Sequence, residues 1–144
     1  MCKKNSTDLI KIIIHVLLAV VFVLNFKIIR VNGQSMSPTL DNGQVILTSR
    51  HTDDLKRNSI VIVKYNDELI VKRIAALEND TVVMKDDAVF VNGVKLSNSS
   101  YEGEDMSITL KKGEVFILGD NHKVSLDSRY FGTISTDMIV SVKI

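Results

Sequence analysis

The sequence predicts a small, mostly β domain preceded by one N-terminal transmembrane helix. Two observations predict this fold class. One apolar segment, residues 9–29, lies near the start of the chain. After residue 40, short segments rich in valine and isoleucine alternate with Gly, Asn, Asp and Lys, and the pattern of an amphipathic helix does not recur. We therefore expect a short N-terminal segment at 1–8, an anchor at 9–29, and a coiled sheet or barrel-like domain at 30–144.

The anchor is predicted from length and charge. Residues 9–29 number 21, and a helix of that length spans about 30 Å, the thickness of the hydrocarbon core of a bilayer. Lys3 and Lys4 precede the segment, so the positive-inside bias favours a cytoplasmic N-terminus and an extracytoplasmic domain. Lys27 and Arg30, on the far side, reduce that bias.

Two other interpretations of the apolar segment stay open. A secretory signal peptide has the same basic start and apolar middle, and cleavage after Gly33 would release a secreted β domain. Lys27 and Arg30, between the apolar run and that site, argue against it. A buried core helix is the second interpretation, but a helix that is apolar all round needs a larger protein to cover it.

Seven segments carry the strand pattern, and hairpin turns join some of them. Asn92-Gly93 is a two-residue turn signal because both residues tolerate positive φ, and Asn66-Asp67 is a second one. The predicted strands lie within residues 44–49, 59–65, 68–77, 81–96, 106–110, 114–120 and 138–144.

Composition excludes several kinds of partner and site. The chain has 144 residues, 45% of them hydrophobic, which is enough for one modest core. A formal net charge of +1 without runs of like charge argues against nucleic acid as a partner. The single cysteine, Cys2, allows neither an internal disulfide nor a thiolate metal cluster, so we expect no metal or other cofactor. The sequence does not set the oligomeric state.

Serine chemistry needs a base, and the three histidines fit that role poorly. His15 lies in the predicted anchor and His51 in a polar loop, which leaves His122.

A buried lysine is the alternative base. Strand alternation places Lys72 on one face with Ile70 and Ile74, and desolvation there would favour the neutral amine. A lysine near a strand end whose ammonium reaches water is the competing interpretation.

Three segments together carry a resemblance to a known family. They are SMSPTL at 35–40, VKR at 71–73 and GDNHKVSLDSRYFG at 119–132. In order and spacing they resemble the motifs of the bacterial type I signal peptidases, in their short form with a single anchor. The resemblance covers the chain from the anchor to the last strand. It implies a membrane-bound serine endopeptidase that removes signal peptides from exported preproteins after an Ala-x-Ala-type site.

The resemblance implies a role for each matching residue of the reacting centre. Ser35 would be the nucleophile and Lys72 the general base, a Ser/Lys dyad. Ser125 would hydrogen-bond the lysine amine and orient it. Asp127 and Arg129 match an ion pair that supports the site.

Further matching residues would hold the reacting groups in place. The strand and turn that bring the second serine close would contain Gly119, Asp120 and Asn121. Arg73 is expected to be structural.

The nucleophile loop has its own predicted supports. Met36 and Pro38 would shape the loop, because proline fixes its own φ and restricts the residue before it. Gly33 stands where members with a second membrane segment often have a serine that helps the oxyanion hole. We therefore expect the backbone N–H of Ser35 and its neighbours to supply the donors.

The chain departs from the family pattern at three places. His122 replaces an arginine, which we interpret as a surface substitution. The turns at 57–59 and 76–80 replace common glycine-containing turns, and of the second only an aspartate is kept.

Alternative functions remain open beside the general signal peptidase. One is a Ser/Lys processing peptidase with a special client, such as a pilin-like or conjugative protein, or a self-cleaving regulator. Another is a catalytically silent, membrane-tethered binding module, which would be expected to lack Ser35 or Lys72; both are present.

Overall fold

The computed structural model describes residues 6–96 and 100–144, and it confirms a mostly β fold behind one N-terminal apolar helix. Cys2, Lys3 and Lys4 lie outside the described residues. The long helix is α1 (Ser6–Asn25), and two short segments are helical, α2 (Ser128–Phe131) and the 3₁₀ turn Thr136–Met138. The strands are β1 (Phe26–Arg30), β2 (Val45–Ser49), β3 (Ile60–Tyr65), β4 (Glu68–Ala76), β5 (Thr81–Lys85), β6 (Ala88–Val91), β7 (Val94–Lys95), β8 (Met106–Thr109), β9 (Glu114–Leu118), β10 (Ile134–Ser135) and β11 (Ile139–Lys143).

Helix α1 begins three residues and ends four residues before the predicted anchor 9–29 does. It ends at Asn25, and the predicted segment 9–29 is strand in its last four residues. These four residues pair with β2, with Ile28 opposite Leu47, and the pairing satisfies their backbone hydrogen bonds. The apolar pattern alone does not distinguish a helix from a strand here. Over Asp8–Asn25 none of the residues of α1 is buried in the described structure, and the helix is long and apolar enough to cross a membrane.

The strands form two antiparallel sheets. The large sheet has the order β1-β2-β11-β3-β4-β9-β10 and the small one the order β7-β6-β5-β8. Both faces of the centre of the large sheet are buried, which is why residues 60–63 of β3 form an unbroken apolar run. Ile62 and Val71 pack with the segment 31–40 on one face, and Val61 and Ile74 pack with β9, β10 and β11 on the other.

Two-residue turns close three hairpins. The predicted turns Asn92-Gly93 and Asn66-Asp67 are present, and all four residues have positive φ. A third turn, Asp86-Asp87, joins β5 to β6 with φ of 50° and 55°. The sequence reading missed it because aspartate adopts this conformation less readily than asparagine or glycine.

Strand β4 has one edge that is only partly paired. Along Glu68–Arg73 it pairs with β3, whereas on its other edge β9 pairs only with residues from Arg73 to Ala76. Within the described residues, the outer edge of residues 68–72 therefore has no strand partner. Lys72 is the last residue of this open edge.

Candidate active site

The segment 33–40, which contains the predicted nucleophile, is fixed to the sheet by two apolar side chains. Met36 and Leu40 are each 1% exposed and pack with Val31 on the same buried cluster. The N–H of Leu40 also donates to the carbonyl of Met36 at 2.9 Å. Ser35 is half-buried and directly precedes Met36. The buried side chain of Met36 therefore fixes the position of Ser35.

Gly33 and Pro38 lie on the two sides of this anchored part. Gly33 has a φ of 89°, a region that glycine enters without strain, and its N–H donates to Asn42 Oδ1 at 2.9 Å. Pro38 is exposed and follows a cis peptide bond from Ser37.

Lys72 is a buried amine with a hydroxyl as its partner. The residue is 4% exposed, and its Nζ donates to Ser125 Oγ at 3.0 Å. Among the described residues Lys72 forms no salt bridge, and no hydrogen bond joins it to Ser35. Such bonds between nucleophile and base are often long in unliganded sites and shorten when substrate binds.

The surroundings of Lys72 favour its neutral form. Burial is the main cause, and it lowers the pKa of the amine below the ordinary value of 10.5. Asp127 acts in the opposite direction, and the positive charge of Arg129 lowers the pKa further. The lowered pKa increases the fraction of the neutral amine, which is the form that can accept a proton.

Ser35 and Lys72 line the same cleft, of about 520 Å³. Its walls come from residues 32–35, from the β3–β4 hairpin, from the segment before α2 and from Phe131 at the end of α2. The lining residues are Asn32, Gly33, Gln34, Ser35, Tyr65, Asn66, Glu68, Ile70, Lys72, Val124, Leu126 and Phe131. Sequence reasoning missed most of the wall, although strand alternation from Lys72 already points to Ile70 and Glu68.

Asp127 and Arg129 form a buried pair that shapes the segment carrying Ser125. Their side chains are 0% and 2% exposed, and Arg129 Nε donates to Asp127 Oδ1 at 2.8 Å. Arg129 also donates to the carbonyls of His122 at 2.9 Å and of Ser125 at 3.2 Å. The carboxylate of Asp127 accepts from the N–H of Gly119 at 2.9 Å. The pair thus fastens both ends of the turn from Gly119 to Ser125.

Gly119 and Asn121 bring the two serines together. A Cβ at Gly119 would collide with the side chain of Ser125 and lie 2.5 Å from the carbonyl oxygen of Ser35. The N–H of Asn121 donates to that same carbonyl at 2.9 Å. A glycine is therefore needed at 119 for close approach, and position 121 holds the nucleophile loop against the turn.

Arg73 lies outside the cleft and is ion-paired. Its Nη2 is 2.6 Å from Asp120 Oδ2, its Nε donates to Asp120 Oδ1 at 2.8 Å, and its Nη1 donates to the carbonyl of Asn58 at 2.7 Å. Burial of Asp120 favours the neutral acid, but hydrogen bonds from Arg73 and Thr39 outweigh it and lower the pKa of the carboxyl. Asp120 thus ties the turn to β4, a contact that the sequence did not predict.

His122 lies away from the cleft. Its ring lines a separate cavity of about 430 Å³ together with Pro38, Arg73 and Asp120. Its Nδ1 is buried and has no hydrogen-bond partner among the described residues, and burial, then Arg129, lower the pKa of the ring. The residue is half-buried, so the interpretation of His122 as a surface substitution is only partly right.

The two atypical turns are linked to each other. Arg57, in the turn at 57–59, donates from Nε to Asp80 Oδ2 at 2.9 Å and forms a second bond from Nη2. Asp80, in the turn at 76–80, also accepts from Asn92 at 2.9 Å. The aspartate kept from the family pattern thus connects three turns.

The arrangement contains the groups that covalent acyl transfer needs. A serine at the cleft surface can attack a carbonyl, a desolvated amine can take its proton, and a second serine orients that amine. The open edge of β4 beside them can pair with an extended peptide.

Known proteins match this chain in sequence and structure. The family model described as "Signal peptidase, peptidase S26" matches residues 6–143. Signal peptidase I of Bacillus licheniformis is 38% identical over 149 residues, covering 88% of this chain and 80% of that protein. Signal peptidase I T of Bacillus subtilis (strain 168) is 36% identical over 150 residues, covering 90% and 78%. The crystal structure of a signal peptidase I from Enterococcus faecalis V583 superposes with a TM-score of 0.52 at 28% identity, covering 62% of this chain and 97% of that one.

Proposed function

The chain belongs to the signal peptidase family, peptidase S26, and we propose that this serine peptidase cleaves signal peptides with Ser35 as nucleophile and Lys72 as general base. One observation carries the proposal. The Nζ of Lys72 is buried, is hydrogen-bonded to Ser125 and lines the same cleft as Ser35. The lowered pKa of this amine makes it available as a base.

The reaction follows from these groups. Neutral Lys72 takes the proton of the Ser35 hydroxyl as the oxygen attacks the scissile carbonyl. Backbone donors near Ser35 stabilise the oxyanion, and such a donor is worth roughly 3–4 kcal/mol. The lysine returns the proton to the leaving amine, and water then hydrolyses the acyl-enzyme with Lys72 again as base. Ser125 holds the amine in position through both steps.

The open edge of β4 is the proposed binding surface for the signal peptide. Tyr65 and Glu68 flank the two-residue turn and form the first hydrogen-bonded pair of the hairpin. Hydrogen-bonded pairs alternate along an antiparallel ladder, so the main-chain N–H and C=O groups of Leu69 and Val71 point away from β3, toward the open edge. An extended peptide pairs with these groups, and shallow pockets select small side chains. By family resemblance the site is of the Ala-x-Ala type.

Helix α1 is the proposed membrane anchor. Its apolar side chains are uncovered in the described structure, and Lys3 and Lys4 precede it. We place the N-terminus in the cytoplasm and the chain from Phe26 onward on the extracytoplasmic side. A membrane-impermeant maleimide added to intact spheroplasts should then label an Asp67→Cys variant in a Cys2→Ser background and leave Cys2 of the unaltered protein unlabelled. Labelling of Cys2 with Asp67→Cys protected would reverse the orientation.

The proposed chemistry is tested by cleavage of a preprotein with an Ala-x-Ala site by the protein in detergent. We expect product that begins directly after the second alanine, and none from Ser35→Ala or Lys72→Ala. Ser37→Ala, two residues from the proposed nucleophile in the same loop, is the matched control and should retain cleavage.

Other outcomes separate the alternatives. Activity that survives in Ser35→Ala removes the assignment of the nucleophile. Folded protein that cleaves none of several preproteins favours a special client or a binding role. Mass spectrometry of the products and circular dichroism of each variant distinguish these cases.

A further inference from the structure

The cleft that contains Ser35 has a single carboxylate in its wall. Of the described residues that line it, only Lys72 and Glu68 are of a basic or acidic type, and Glu68 is the only one with a carboxyl group. Glu68 is exposed and forms no ion pair or hydrogen bond from its side chain among the described residues. Its neighbour Asp67 differs, because it is paired with Lys64 at 3.1 Å and does not line the cleft. The free negative charge at the cleft surface is therefore that of Glu68.

Glu68 is held at a fixed distance from the reacting groups. Residues 68, 70 and 72 alternate with their neighbours and share one face of β4, so successive members lie about 6.6 Å apart. Glu68 stands opposite Tyr65 in the ladder, and the ring of Tyr65 stacks on Phe131 at a centroid distance of 4.4 Å. The far end of the cleft is thus built on a packed hairpin.

The open edge also sets the direction of a bound peptide. Beyond Lys72 the edge is closed, because β9 pairs with β4 from Arg73 onward. The signal peptide, for which this edge is the proposed binding surface, is the part before the cut, so with the scissile carbonyl at Ser35 its residues lie along 72 to 68. In an extended peptide every second side chain faces the same way. The first, third and fifth residues before the cut then lie beside Lys72, Ile70 and Glu68.

We propose that Glu68 is a specificity-determining residue that favours lysine or arginine at the fifth position before the cleavage site. The inference rests on the proposed function and adds an electrostatic preference to it. Because Glu68 is exposed, the preference is modest, roughly two- to five-fold in kcat/KM for lysine over glutamine. It weakens as salt screens the pair. It is expressed mainly in KM, since Glu68 is remote from the reacting atoms.

The test uses three peptides that share an Ala-x-Ala site and differ only at the fifth position, with lysine, glutamine or glutamate. The unaltered protein should prefer them in that order at low salt, with the ratios approaching one near 0.5 M salt. In Glu68→Lys the order should reverse. Asp67→Asn is the matched control because it removes an adjacent carboxylate outside the cleft and asparagine suits the positive φ at 67; the preference should persist there.

Position gives a second control. Lysine moved to the fourth place before the cut faces away from Glu68 and should bring no gain.

Each contrary result has its own meaning. Cleavage with equal kcat/KM for all three peptides, or an order unchanged in Glu68→Lys, overturns the role of Glu68 and leaves the proposed function standing. A loss of preference in Asp67→Asn would assign the effect to general surface charge and also overturn it. Failure to cleave every peptide removes the proposed function, and the inference falls with it.

Discussion

Lys72 and Arg73 are consecutive basic residues on β4, and their environments are opposite. Lys72 is 4% exposed and has the hydroxyl of Ser125 as its hydrogen-bond partner. Arg73 faces the other side of the strand and forms a bidentate ion pair with Asp120. Burial lowers the pKa of the lysine, whereas hydrogen bonding to a carboxylate raises that of the arginine. A shift of one position along a strand thus separates an amine whose pKa is lowered from a guanidinium whose pKa is raised.

The contrast explains why a lysine suits the proposed role of general base. An ammonium loses its proton when it is desolvated without a carboxylate, whereas a guanidinium stays charged and needs a carboxylate partner. Asp127 is the carboxylate that raises the pKa of Lys72. It is paired with Arg129 and accepts a hydrogen bond from the N–H of Gly119. Asp127 therefore raises the pKa of the amine by less than burial lowers it.

The largest expected effect comes from exchanging the two residue types. Lys72→Arg should lose at least about a thousand-fold in kcat, because the guanidinium cannot accept a proton near neutral pH. Arg73→Lys should retain activity within a few-fold, because its charge supports the turn and not the reaction. Initial rates of preprotein cleavage measure both. Activity in Lys72→Arg close to that of the unaltered protein would mean that another group is the base.

Removal of the partner of Lys72 should have the next largest effect. Ser125→Ala should lower kcat by roughly 10- to 100-fold, because the amine loses the group that orients it. It should also move the acidic limb of the pH–rate profile to lower pH, since a hydrogen-bond acceptor favours the ammonium.

Ser128→Ala is the matched control for that change. Its hydroxyl is also buried but accepts from the N–H of Ile117 at 3.0 Å, away from the amine. The variant should lose stability without moving the pH profile. A profile that moves equally in both variants would show that the shift reports the packing of the segment and not Lys72.

The sequence predicted the elements of this comparison but not all of its contacts. Alternation from an apolar strand correctly put Lys72 on a buried face, and the resemblance in GDNHKVSLDSRYFG brought Ser125 beside it. The partner of Arg73 was missed because Asp120 is 47 residues away in sequence, and no local pattern encodes such a contact. The end of α1 was misplaced for a similar reason, since pairing of β1 with β2 is a long-range interaction.

Burial of a lysine should also be visible in stability. The pKa of Lys72 is lower in the folded state than in the unfolded state. At pH values between the two, the folded state therefore binds fewer protons than the unfolded state. The free energy of unfolding consequently falls as the pH falls through that window. Each unit of separation corresponds to about 1.4 kcal/mol. Lys72→Met should therefore be inactive yet more stable near pH 7, with the difference shrinking as the pH approaches 10.5.

Denaturant unfolding of the full chain in detergent, repeated across pH, measures this difference. Lys64→Met, at an exposed lysine on the adjacent strand, is the control and should change the free energy of unfolding by no more than about 0.5 kcal/mol at any pH in the window. A Lys72→Met variant that is less stable than the unaltered protein at pH 7 would contradict the inference that burial of the Lys72 amine destabilises the folded state.

The smallest expected effect comes from Asp120→Asn, which removes the ion-pair partner of Arg73. The side chains of Arg73 and Asp120 are 27% and 16% exposed, so loss of the pair should cost only about 1 kcal/mol. The folded pKa of Asp120 is lowered, so its contribution is present above the ordinary carboxyl value of 3.8 and is lost as pH falls below it. Thermal unfolding should therefore separate the two proteins near pH 7 and bring them together in acid, the reverse of the alkaline convergence expected for Lys72→Met. A difference between Asp120→Asn and the unaltered protein that persists into acid would mean that Asp120 acts by packing and not by its charge.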